Sequence, residues 1–84
     1  MSGARVKLPP DLEQIHLFQL EDCIRQANLG EQDRDMVRMY LIDRIAQIEI
    51  AEEFGCSRTT VYKHLKKAVE KISVINRRLY KKFL

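Results

Sequence analysis

The chain has 84 residues, a formal net charge of +3, 45% hydrophobic and 32% charged residues, and only three Gly and two Pro. That composition fits one folded domain near the lower end of what builds a core without staples, and it excludes a disordered chain and a turn-rich β protein. No apolar run approaches the roughly 18 residues of a membrane span.

In chain order, residues 1–8 read as a loose basic tail without the apolar block of a signal peptide, so a cytosolic protein is expected. Pro9 and Pro10 suit a helix start, where a missing N–H costs little, and Asp11 and Glu13 favour the positive end of the helix dipole. The pattern predicts a first helix from Pro10 to Asn28, with Leu12, Ile15, Phe18, Cys23, Ile24 and Ala27 inward and Leu17 and Leu20 widening the stripe. Asn28-Leu29-Gly30 reads as a stop. A second helix is expected from Glu31 to Ile42, with acids in its first turn and Met36, Val37, Tyr40 and Leu41 at helical spacing.

Asp43-Arg44 then connects to a short third helix over Ala46 to Phe54, with Ile50, Ala51 and Phe54 inward. Gly55 ends it, because a tight turn there needs positive φ. Ser57 is the N-cap candidate of a fourth helix, and Val61 and Leu65 face inward. No Gly or Pro interrupts that helix, and Val61, Leu65, Ala68, Ile72, Ile75 and Leu79 alternate steps of four and three in a heptad-like seam. The seam can pack on the first helix or on a second copy of the chain. Ala68, Ile72, Ile75 and Leu79 are assigned on this basis to a dimer or partner interface. The expected architecture is all-α: one four-helix domain over 1–84, with its core at 31–68 and a helical extension at 69–84.

Charge is unevenly placed. From Ser57 onward, nine basic residues face a single acid, Glu70, so the segment before it carries a net negative charge. A basic face on an acidic body suits a polyanionic partner. Metal and cofactor chemistry finds no purchase. Cys23 and Cys56 are far apart, lack metal-ligand spacing with His16 or His64, and read as buried free thiols. Paired carboxylates, a nucleophile with its base, and a phosphate-cradling glycine loop are also missing, so an enzyme is not expected.

The stretch from Gln47 to Lys66, QIEIAEEFGCSRTTVYKHLK, joins these signals. Ala51 is small where two helices approach, Gly55 supplies the turn, and Ile50, Phe54, Val61 and Leu65 fill the wedge. This is the spacing of a helix-turn-helix, which sets its second helix in the DNA major groove. With Val61 and Leu65 buried, Arg58, Thr59, Tyr62 and Lys63 project toward a groove. Arg58 or Lys63 can donate to guanine, Thr59 can meet a thymine methyl or a phosphate, and Tyr62 a base edge or sugar. Ser57, Thr60, Lys66 and Lys67 suit phosphate contacts, and Gln47 can reach a phosphate across the groove edge. His64 reads as a helix-packing residue. Arg77, Arg78, Lys81 and Lys82 lie beyond the groove region, where they touch flanking backbone or keep the helix soluble.

Residues Gly30 to Ile72 resemble the fourth-region domain of bacterial sigma factors and the related LuxR-type response-regulator DNA-binding domain. The match lies in Asp33-Arg34, Ile50-Ala51-Glu52 and Gly55-Cys56-Ser57-Arg58-Thr59-Thr60-Val61-Tyr62-Lys63-His64-Leu65. The resemblance implies a transcription regulator, of the kind that phages and mobile elements carry as a single unit, working in a bacterial cytoplasm or an infected host cell. The sequence departs from the pattern at Ala46, where Ser, Thr or Pro is usual, at Asp43-Arg44, where Gly is usual, and at Ile48, where a polar residue is usual. Two functions are expected from different classes. One is sequence-specific double-stranded DNA binding, with dimerisation as the route to affinity. The other is a sigma-like interaction module that binds RNA polymerase or another transcription factor, suggested by the acidic N-terminal half and by Ile42, Ile45 and Ile48 as an apolar patch.

Overall fold

The computed structural model describes residues 5–80. They form five helices: α1 (Pro10–Glu13), α2 (Leu17–Gln26), α3 (Glu31–Leu41), α4 (Gln47–Phe54) and α5 (Arg58–Tyr80). The architecture is all-α, and α5 is its spine, since α1, α2, α3 and α4 all pack against it. No helix among the described residues is long and apolar enough to cross a membrane.

The expected first helix is broken in two. Gln14 and His16 leave helical geometry, with ψ of 38° and 147°. Phe18 and Leu20 sit two residues apart, about 200° around a helix, so both cannot face inward. The chain buries Leu20 at 6% exposure and leaves Phe18 at 70% and Leu17 at 57%. Leu20, Cys23 and Ile24 then form the inner face of α2 at the i, i+3, i+4 spacing. The break also frees α1 to bring Asp11 against α5.

The basic tail is not loose where it is described. Val6 is buried, and its N–H donates to Gln47 Oε1 at 2.9 Å. Residues 1–4 of that expected tail lie outside the described residues.

The apolar seam of α5 needs a larger correction. Val61, Leu65, Ala68 and Ile72 are fully buried within the protomer. Beyond Ala68 the buried stripe turns to Val69, Ser73 and Asn76, leaving Ile75 half-buried and Leu79 37% exposed. Ala68 and Ile72 are therefore removed from any intermolecular interface: the protomer's own helices cover them. The stripe drifts because α5 meets different partners along its length. At the C-terminal end these partners are polar. Ser73 Oγ donates to Asp11 Oδ1 at 2.8 Å, and Asn76 Nδ2 donates to Asp11 Oδ2 at 2.9 Å. Asn76 Oδ1 accepts from Gln19 Nε2 at 2.7 Å and from the Cys23 thiol at 3.7 Å. Tyr80 closes this end by donating to Asp22 Oδ2 at 3.0 Å. Among the described residues no buried side-chain nitrogen or oxygen lacks a partner.

Of the two cysteines expected to be buried, only Cys23 is; Cys56, in the turn, is half-exposed. Burial, with the Asp22 and Asp11 carboxylates adding, pushes the Cys23 thiol up to about 11.

Candidate nucleic-acid interface

The angle between α4 and α5 is set by local chemistry. Gly55 takes the left-handed conformation at φ 64°, ψ 37°. Its N–H donates to Glu52 O at 3.3 Å, and the Cys56 N–H donates to Ala51 O at 3.0 Å. This pair of bonds is the Schellman ending, which satisfies carbonyls that a helix C-terminus would otherwise orphan. Two residues later Ser57 starts α5 as its N-cap: Ser57 Oγ accepts the Thr60 N–H at 3.1 Å, and the Thr60 hydroxyl lies 3.1 Å from Ser57 Oγ. Ile50, Ala51, Val61 and Leu65 are buried in the wedge between the helices.

With that wedge fixed, Thr59, Lys63, Lys66 and Glu70 recur at steps of three and four on the opposite, exposed face of α5. Lys67 is exposed beside them; Arg58 and Tyr62 flank the face half-buried, and Tyr62 also packs on the core. The side chains of Arg58, Thr59, Tyr62, Lys63, Lys66 and Lys67 make no hydrogen bond or ion pair among the described residues. They are donors and cations not committed within the fold. Ser57 and Thr60 are different, since their hydroxyls are engaged in the cap. Arg77 and Arg78 are exposed farther along α5, and Lys81 and Lys82 lie outside the described residues.

Gln47 departs from the expected contact set. It is only 9% exposed and accepts the Val6 N–H, so it anchors the N-terminal segment and does not project from the surface. His64 is, as expected, a packing residue. Its Nδ1 lies 2.5 Å from Asp33 Oδ1 across 31 residues, tying the start of α3 to the middle of α5. Sequence spacing carries no signal for this tie, although both residues fall within the family-like stretches. Among the described residues no group of three or more His, Cys, Asp or Glu side chains is placed to hold a metal ion.

Ile42 and Ile45, expected as an apolar patch with Ile48, instead line a cleft of about 460 Å³ with Leu8, Leu12, Leu20 and Leu41, and Arg5 and Arg44 also line it. Ile48 lies apart from this cleft and is 49% exposed on α4.

Residues 17–72 match a family model described as sigma-70, region 4. The match begins at α2 and ends within α5, so it takes in a helix that the resemblance read from Gly30 to Ile72 leaves out. No curated protein and no solved structure matches the chain.

Proposed function

The chain belongs to the sigma-70 region 4 family, a helix-turn-helix DNA-binding domain of transcription, and from that premise we propose that it reads duplex DNA sequence-specifically by laying α5 in a major groove. The observation that carries this reading is the uncommitted face of α5. The Gly55 ending and the Ser57 cap fix a helix whose Arg58, Thr59, Lys63, Lys66 and Lys67 have no partner within the described fold. Arg58, Thr59, Tyr62 and Lys63 are the base-reading set, with guanine edges suited to the guanidinium or ammonium. Lys66 and Lys67 hold phosphates, and Ser57 and Thr60 contribute chiefly by capping the helix.

The test is selection of bound sequences from random duplexes, followed by titrations at several salt concentrations. Replacing Arg58 and Lys63 with Ala is expected to relax the selected sequence, at about 1–3 kcal/mol for each lost base contact. Replacing Lys66 or Lys67 should weaken all duplexes alike and lower the salt slope by about one per residue. Unchanged sequence preference in the Arg58 and Lys63 variant would refute the assignment.

A second reading has its own support. The apolar cleft beside α1 and α2, with Arg5 and Arg44 among its lining residues and half-exposed Leu17 at its edge, suits a protein segment from RNA polymerase or another transcription factor. Leu17→Glu should abolish such an association and leave duplex binding intact.

A further inference from the structure

A second cleft, about 270 Å³, opens between the C-terminal half of α2 and α3. The basic residues before Gly55 are Arg5, Lys7, Arg25, Arg34, Arg38 and Arg44, and three of these six line this one cleft. Their internal counterions differ: one arginine is tightly paired, one loosely, and one not at all. Arg25 is paired with Asp22 at 2.6 Å, on an arm that is 72% exposed. Arg38 Nη2 stands 3.9 Å from Glu21 Oε2, beyond hydrogen-bond reach. The Arg34 side chain makes no hydrogen bond or ion pair among the described residues. The floor is apolar, built from Ile24 and Leu29, both buried.

We propose that this cleft binds a free oligophosphate anion, of the size of a di- or triphosphate group. Guanidinium forks match phosphate oxygens two at a time, and several forks around one cleft favour a multiply charged anion over a single carboxylate. The apolar floor excludes water on one side and strengthens each charge contact. The volume falls just below the roughly 300–1,000 Å³ of pockets that enclose drug-sized molecules, so it suits an anionic group better than a whole cofactor. Glu21, in a loose ion pair with Arg38 at 3.9 Å, is the counterion that such a ligand displaces.

The experiment titrates inorganic tripolyphosphate into the full 84-residue chain without DNA, at constant ionic strength, and follows arginine Nε–Hε and backbone amide resonances. Saturable shifts confined to Asn28 through Arg38 and to the Arg25 side chain are expected. Arg34→Gln and Arg38→Gln should each weaken binding about tenfold, as loss of a charge-assisted pair would. Arg58→Gln and Lys63→Gln should leave it within twofold. Because the exposed Arg34 side chain makes no hydrogen bond or ion pair among the described residues, the melting temperature of Arg34→Gln without ligand should stay close to that of the parent, which separates a binding role from a structural one. Shifts spread along α5 and removed by Lys63→Gln would overturn the proposal in favour of general attraction to the basic helix. So would a lowered salt slope for duplex binding in Arg34→Gln with tripolyphosphate binding unchanged, which would place the cleft in a DNA footprint.

Discussion

Gly55 and Arg44 share nearly one positive φ with opposite fitness for it. Gly55 stands at φ 64° and Arg44 at φ 60°. A Cβ at Gly55 would meet nothing within 4 Å, so the demand there comes from the backbone alone. Gly55→Ala should cost about 1–2 kcal/mol in chemical denaturation, the strain of a left-handed L-residue. Arg44→Gly should act in the other direction, gaining up to about 1 kcal/mol after the added entropy of the unfolded glycine is subtracted. Cys23 supplies a pH-dependent counterpart. Its folded thiol holds a proton up to about 11. The unfolded thiol releases its proton at lower pH, so the unfolded state binds fewer protons through that window and stability falls as pH rises. Tyr80, whose hydroxyl donates to the Asp22 carboxylate, is raised as well and acts in the same direction. Denaturation midpoints should decline in that alkaline window, and Cys23→Ala should flatten the decline. A thiol reagent at mildly alkaline pH should label half-exposed Cys56 well before Cys23.

At the level of elements, the sequence disclosed what local chemistry decides. The extents of α3, α4 and the start of α5 were legible because Gly55 and Ser57 end and begin helices through bonds within a few residues. The outward set on α5 followed from Val61 and Leu65. Three features were hidden, each for a tertiary reason. The break between α1 and α2 is fixed where Asp11 meets Ser73, 62 residues away. The drift of the α5 stripe recruits Ser73 and Asn76, polar types that read as solvent-facing until Asp11 and Gln19 are placed opposite them. Gln47 looked like a phosphate ligand because its true partner is a backbone N–H 41 residues earlier. The polar clamp predicts a sharp asymmetry in mutation. Asp11→Ala strands the Ser73 hydroxyl and leaves Asn76 Nδ2 only the longer bond to the backbone carbonyl of residue 11, at 3.3 Å, so it should cost about 1–3 kcal/mol, the range for an unsatisfied buried group. Glu13→Ala, in the same short helix but exposed, should cost almost nothing.

For the whole molecule, the fate of α5 decides its assembly. A seam buried from Val61 to Ile72 between helices of one chain, with only Ile75 and Leu79 partly or wholly open beyond it, leaves no continuous strip for a copy. Sedimentation at micromolar concentration should therefore give a monomer; a dimer would locate a new interface among half-buried and exposed positions such as Ile75, Val74 and Leu79. On the DNA-reading proposal, a monomer would present one helix to one groove and neutralise few phosphates, so its affinity should be modest and its salt dependence shallower than a dimer's.

The change of charge sign at Gly55 bears on how the chain reaches DNA. The fold measures 39 × 26 × 18 Å, from about two to five times the Debye length of about 8 Å at physiological ionic strength. A duplex consequently feels only the face nearest to it. If α5 reads DNA as proposed, a collision through acidic α4 is turned away, whereas one through the exposed side of α5 is retained long enough to search. On that reading the carboxylates of α4, Glu49, Glu52 and Glu53 with no basic residue among them, act as a kinetic filter on orientation, discarding unproductive encounters before any base would be read.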